Sequence, residues 1–262
     1  MTSDRETIDL HLGLHEIPKH TMTITRINGA IEQLFPNLEE FIENTEAKVQ
    51  PRKDYPIERD DVGGITSKTQ FEIKIERALW SKYHEHKSSE ASPFLPTCPR
   101  IVGYQVPLFN QDNQQGWGEI DLIGASPNGM PVPIELKQDT GENVLKMIVQ
   151  SAAYSIAVRK VWNLPNSPFQ KCWQSLALGN ELPKEMSEIN CICLATEAYW
   201  KRARGNASGR RSEGQIMPDS WPLINRLVEK FSEHGIQVSF ASVVLAPELP
   251  TISSCSQEQL PI

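Results

Sequence analysis

Apolar residues recur at helical spacing in some stretches of this chain. In others they crowd into short runs of strand length, with Pro, Gly and Asn clusters between. Residues 25–35 predict a helix with Ile27, Ile31 and Leu34 on one stripe, stopped by Pro36; residues 38–49 predict a second, acidic one. Residues 50–65 hold Pro51, Pro56 and Gly63-Gly64 and read as a linker. Over 67–86, Ser67 and Gln70 form a capping-box pattern, and Phe71, Ile75, Ala78 and Leu79 make a buried stripe. A loop at 88–99 precedes a first strand at 100–109 and a polar turn at 110–115.

Beyond that turn come two runs, Gly118-Glu119-Ile120-Asp121-Leu122-Ile123 and Val132-Pro133-Ile134-Glu135-Leu136-Lys137, joined through Ser126-Pro127-Asn128-Gly129. Three acids and a lysine sit inside runs that otherwise read as buried strands. Charges there need partners or a bound cation, because desolvating them alone is costly. Side chains alternate along a strand, so Glu119 shares a face with Asp121, and Glu135 with Lys137. A two-residue Asn128-Gly129 loop would send the two pairs to opposite faces. A three-residue loop, with Pro127 and Asn128 in a type I turn and Gly129 in the left-handed bulge, sets Asp121 opposite Glu135 and Glu119 opposite Lys137. Facing residues have Cβ atoms roughly 4.5–5.5 Å apart. Two carboxylates that close repel unless a cation lies between them, so the expected site is a divalent metal held by Asp121 and Glu135.

A further helix is expected from Thr140 or Gly141 to about Trp162, with Val144, Met147, Ile148, Ala152 and Ile156 on its apolar face and Gln150 and Tyr154 one turn apart. Residues 163–187 read as a proline-bearing insertion, with Phe169, Trp173 and Leu176, able to pack as a lid. Residues 189–196 and 236–245 predict strands and 219–234 a helix. The right-handed crossover rule puts the first of these strands beside Glu135–Lys137. Lys201, Arg202, Arg204, Arg210 and Arg211 lie in one stretch without an acid, read as a mobile basic loop at the carboxyl end of a central strand, where phosphate contact is expected. Residues 247–262 read as a loose tail.

Asp121 followed by Glu135-Leu136-Lys137 resembles the PD-(D/E)xK nuclease superfamily, with the restriction-endonuclease-like fold; no proline precedes Asp121. The resemblance covers roughly residues 67–198. It implies an α/β fold with an αβββαβ core, a mixed sheet, an additional α-β unit and an N-terminal extension over 1–66. It implies metal-dependent phosphodiester hydrolysis, endonucleolytic and most simply of DNA, in a restriction, repair or defence setting. Mg²⁺ or Mn²⁺ would be held by Asp121, Glu135, the carbonyl of Leu136 and a glutamate of the first helix. Glu72 and Glu76 both qualify; Glu76-Arg77-Ala78-Leu79 is similar to the matching segment of Holliday-junction resolvases and favours Glu76. Lys137 would orient the attacking water, and the Gln150–Tyr154 pair would line the site. The alternative is a catalytically silent nuclease-like module that binds nucleic acid or a protein.

Composition changes this picture little. Net charge is −7, of which residues 1–66 carry −6 and residues 67–262 only −1, so the acidity does not oppose nucleic-acid binding by the second part. The acidic segment is a candidate surface for a protein partner or a homodimer. The five cysteines (98, 172, 191, 193, 255) form no C-x-x-C pair and suggest reduced thiols in a cytoplasmic protein. No apolar run approaches about 18 residues, and no signal peptide is visible at Met1–Glu6, so neither a membrane span nor secretion is expected.

Overall fold

β1 (Arg100–Pro107), β2 (Glu119–Ala125) and β3 (Pro131–Lys137) form an antiparallel meander, which β4 (Ile189–Thr196) and β5 (Ile236–Leu245) extend in parallel and β6 (Ile252–Glu258) closes antiparallel. The six-stranded sheet follows the chain order 1-2-3-4-5-6. The computed structural model describes residues 24–57, 71–84, 93–108, 119–138, 144–176, 181–204, 220–245 and 252–258. Helices are α1 (Ile24–Leu34), α2 (Leu38–Lys48), α3 (Phe71–Tyr83), α4 (Val144–Trp162), α5 (Pro168–Ser175), α6 (Glu197–Ala203) and α7 (Trp221–Glu233), with a 3₁₀ turn at Phe35–Asn37 around Pro36. The chain is therefore an α/β protein with a mixed sheet. Among the described residues no helix is long and apolar enough to cross a membrane.

The sheet separates two apolar cores. Ile75 and Leu79 of α3 pack with Leu122, Ile134, Leu136, Ile192 and Leu194 on one face. On the other, α4 packs with Ile123, Cys191, Cys193 and Ala195. The helical face predicted for 140–162 is too narrow. Almost every residue of α4 is buried, because α2, α5 and α7 enclose the side turned away from β3 and β4.

The described part of the N-terminal extension packs onto the rest of the chain. Ile31, Leu38, Phe41 and Ile42 belong to the α4-side core, and the Phe41 ring meets Phe231 of α7 edge-on at 6.3 Å. Residues 50–57 are more than a linker: Tyr55 and Ile57 are buried, and Tyr55 packs edge-on against Phe169 at 5.1 Å. Aromatic burial here outweighs the turn-forming signal of Pro51 and Pro56. Residues 58–65 of that stretch lie outside the described residues, as do Ser67 and Gln70 of the capping box.

The 163–187 insertion contains α5, started by Ser167, whose hydroxyl accepts from the Gln170 N–H. It is no lid over the charged strand ends. Phe169 and Trp173 are fully buried, and the Trp173 indole donates to the Gly129 carbonyl at 2.8 Å, at the turn end of the β2–β3 hairpin. Part of the expected loose tail is the edge strand β6, paired from Phe240↔Glu258 to Leu245↔Ile252. Its serines, Gln257 and Glu258 hid the strand, since one face of an edge strand meets water.

Gly103 marks a close approach of two backbones. A Cβ there would stand 2.3 Å from the Ile57 carbonyl oxygen, so β1 and the 50–57 segment touch backbone to backbone. Gly103→Ala is expected to destabilise the protein by about 1–3 kcal/mol, read as a lower urea midpoint at unchanged slope.

Candidate active site

The hairpin turn sets the site. The Gly129 N–H donates to the Ser126 carbonyl at 2.8 Å and the Ser126 N–H to the Met130 carbonyl at 2.9 Å, with Gly129 at φ 78°. This is the three-residue turn expected from Pro127-Asn128-Gly129, and the Ser126 hydroxyl reinforces it by accepting from the Met130 N–H at 3.0 Å. The register runs Ala125↔Pro131, Gly124↔Val132, Ile123↔Pro133 and Leu122↔Ile134. Continued one step beyond its last pair, this register would set Asp121 opposite Glu135. There the ladder gives way to a side chain: Asp121 Oδ2 accepts the Leu136 N–H at 2.8 Å.

β3 is buried at every residue, and Glu135 and Lys137 project from it on one face. Lys137 Nζ donates to Glu135 Oε1 at 2.5 Å and lies 4.0 Å from Glu72 Oε1. The parallel register sets Glu135 beside Cys193 and Lys137 beside Ala195, so the site stands at the carboxyl end of β3.

α3 and α4 supply the remaining groups. Glu76 is 3 % exposed, and its Oε2 accepts from Gln105 Nε2 at 3.2 Å. Burial holds its carboxyl well above the usual range; Asp121, Glu72 and Glu135 add to the rise, and the Gln105 bond opposes it. Glu76, rather than Glu72, is therefore the helix acid turned to Asp121 and Glu135, while Glu72 serves Lys137. On α4, Gln150 Nε2 donates to the Tyr154 oxygen at 3.3 Å. Burial pushes the Tyr154 phenol well above its ordinary value, with the Glu135 and Asp121 charges pushing the same way. Tyr154 is thus a neutral hydroxyl beside the carboxylates.

The fold brings together Glu76, Asp121, Glu135, Lys137, Gln150 and Tyr154. The described part of the expected basic loop, residues 201–204, is mostly helix. Lys201 and Arg202 belong to α6, whose start is fixed by Thr196 Oγ1 accepting the Tyr199 N–H at 3.2 Å. Trp200 anchors that helix by donating to the Ala241 carbonyl at 2.8 Å. Lys201 pairs with Glu197 at 3.7 Å, and Arg204 with Glu258 of β6 at 2.5 Å. Arg210 and Arg211 lie outside the described residues. One residue was missed: Gln105, whose amide reaches Glu76, looked like an ordinary strand amide.

Whether a metal suits these residues is a question of donor type and charge. Among the described residues, no group of three or more His, Cys, Asp and Glu side chains is arranged to hold a metal ion as it stands. Asp121, Glu135 and Glu76 each accept a hydrogen bond from the chain itself. In type they are nonetheless oxygen donors alone, the set suited to Mg²⁺ or Mn²⁺. Burial first, and then the charges of Asp121, Glu72 and Glu135, raise Glu76; a cation would relieve the part that is due to charge. The donor set fits the group.

No family model matches this chain, and neither does any curated protein or solved structure.

Because the folded pKa of Glu76 is raised, the native state holds its proton more tightly than the unfolded chain. Stability falls as pH rises from the ordinary glutamate range toward that higher value. Glu76→Gln is therefore expected to raise the metal-free melting temperature, more at pH 7 than at pH 4.5, as calorimetry at the two pH values will show. For the buried pair, Lys137→Met and Glu135→Gln are each expected to destabilise. The double variant should lose less than the sum, with a coupling of about 0.5–3 kcal/mol in a denaturation cycle.

Proposed function

We propose that this protein is a metal-dependent nuclease of the PD-(D/E)xK type, built on a restriction-endonuclease-like core, that hydrolyses phosphodiester bonds in DNA. The carrying observation is that Asp121 reaches across the hairpin to accept the Leu136 N–H at 2.8 Å, beside Glu135, whose Oε1 holds Lys137 Nζ at 2.5 Å. The element order α3-β1-β2-β3-α4-β4, leaving aside α5, supports the reading. Asp121, Glu135 and Glu76, with the Leu136 carbonyl, would hold the metal. When bound, Mg²⁺ or Mn²⁺ polarises a phosphate oxygen and acidifies a bound water.

The other roles belong to the chain. Water attacks phosphorus, the bond to the leaving oxygen breaks, and the proton that the water loses passes through solvent to that oxygen. Lys137, steadied by Glu135 and by Glu72, offers a compact ammonium to that water and to the charge growing on the phosphate. Tyr154 stays protonated and acts as a hydrogen-bond donor, its oxygen already taken by Gln150. Lys201 and Arg202 sit on α6, after the end of β4, the strand beside β3, and would meet the phosphate backbone. Arg204 is engaged by Glu258 and serves the fold instead.

The test is cleavage of linear and supercoiled DNA with Mg²⁺ or Mn²⁺. The wild type should cut only with metal, and Glu135→Ala should not cut. Lys137→Ala should lose about 100- to 1,000-fold in turnover, and Lys137→Arg should not restore it. A folded Lys137→Ala protein that cuts at the wild-type rate would defeat the mechanism. Binding without cleavage by the wild type would favour a silent nucleic-acid-binding module.

A further inference from the structure

Gln105 lies within β1, yet its φ is 46°, a left-handed conformation that a non-glycine residue rarely adopts inside a strand. Its neighbours register the turn in the backbone: Tyr104 packs in the α3-side core and Val106 in the α4-side core, although two residues apart. Tyr104 pairs with Leu122 and Val106 with Ile120, so Gln105 stands opposite Asp121. Its amide crosses to α3 and donates to Glu76 Oε2 at 3.2 Å. One strained residue thus links the strand carrying Asp121 to the helix carrying Glu76. Strain of this kind persists where the surroundings over-determine it, and it gathers at functional sites.

We infer that Gln105 is a positioning residue of the metal centre: its left-handed backbone aims the amide at Glu76 and holds that carboxylate toward Asp121 and Glu135. This rests on the metal-site reading above. Two things are held by one side chain, the orientation of a ligand and the spacing of α3 from β1. Outer partners of metal ligands typically control affinity by about 10- to 100-fold.

The experiment is titration of the full chain with Mn²⁺ alone, read by paramagnetic resonance of the free ion, alongside thermal melting without metal. Gln105→Met keeps the length and removes the donor. Gln105→Gly removes the donor but accepts φ 46° without strain. Both should weaken Mn²⁺ binding about 10- to 100-fold. Gln105→Gly should melt no lower than Gln105→Met, a divergence that a purely structural role would not produce, since loss of affinity would then follow loss of stability. If the Met variant does not fold, the Gly variant alone decides. Wild-type affinity within twofold in the folded variants overturns the inference and leaves the metal site standing. No Mn²⁺ binding by the wild type overturns the metal site, and the inference with it.

Discussion

A carboxylate buried in the middle of a sheet is the constraint on which the rest of this structure depends. Glu135 is about 1 % exposed on a strand with neighbours on both sides. Left alone, it would cost several kcal/mol in desolvation or take up a proton. Lys137, two residues on and on the same face, meets it directly. That lysine is itself buried, so the pair exists only where β3 is clamped between β2 and β4 and covered by α4. The clamp in turn needs the left-handed Gly129 turn, since a slip of one residue would move both charges to the other face.

Around that pair the fold gathers groups that do not favour one another. Asp121, Glu135 and Glu76 repel, and Glu76 also gives up hydration. They stay together because rigid parts hold them. Asp121 is tied to the Leu136 N–H, Glu76 rides on a helix anchored by the buried Ile75 and Leu79, and Gln105 reaches Glu76 from a strained position. An arrangement that breaks local rules of stability in one place, amid a core that obeys them, is where a functional site is expected.

The segments farthest along the chain from these residues also serve them. Phe41, Phe169 and Phe231 come from α2, α5 and α7 and share the core that encloses α4. The position of Gln150 and Tyr154 therefore depends on residues before and after the strands that carry the charges. At the other edge, β6 shields β5 and takes the Arg204 guanidinium through Glu258. It covers an edge that would otherwise present unpaired backbone groups.

The amino-acid sequence by itself determined the local order: which stretches form strands and helices, the hairpin register through Pro127-Asn128-Gly129, and the placing of Glu135 and Lys137 on one face beside β4. These follow from periodicity, turn chemistry and chain handedness, all short-range rules. Tertiary structure decided the rest. It buried Tyr55 and Ile57 in what read as a linker and recruited residues 252–258 as an edge strand. It turned Lys201 and Arg202 into helix surface and spent Arg204 on an ion pair. It separated the duties of Glu72 and Glu76, which sequence spacing leaves equivalent, because only packing settles which side of a helix faces another strand's carboxylate. Gln105 shows the reason most plainly. Its contribution comes from a φ angle imposed by its surroundings and an acid 29 positions earlier in the chain, and neither is encoded in the residues beside it.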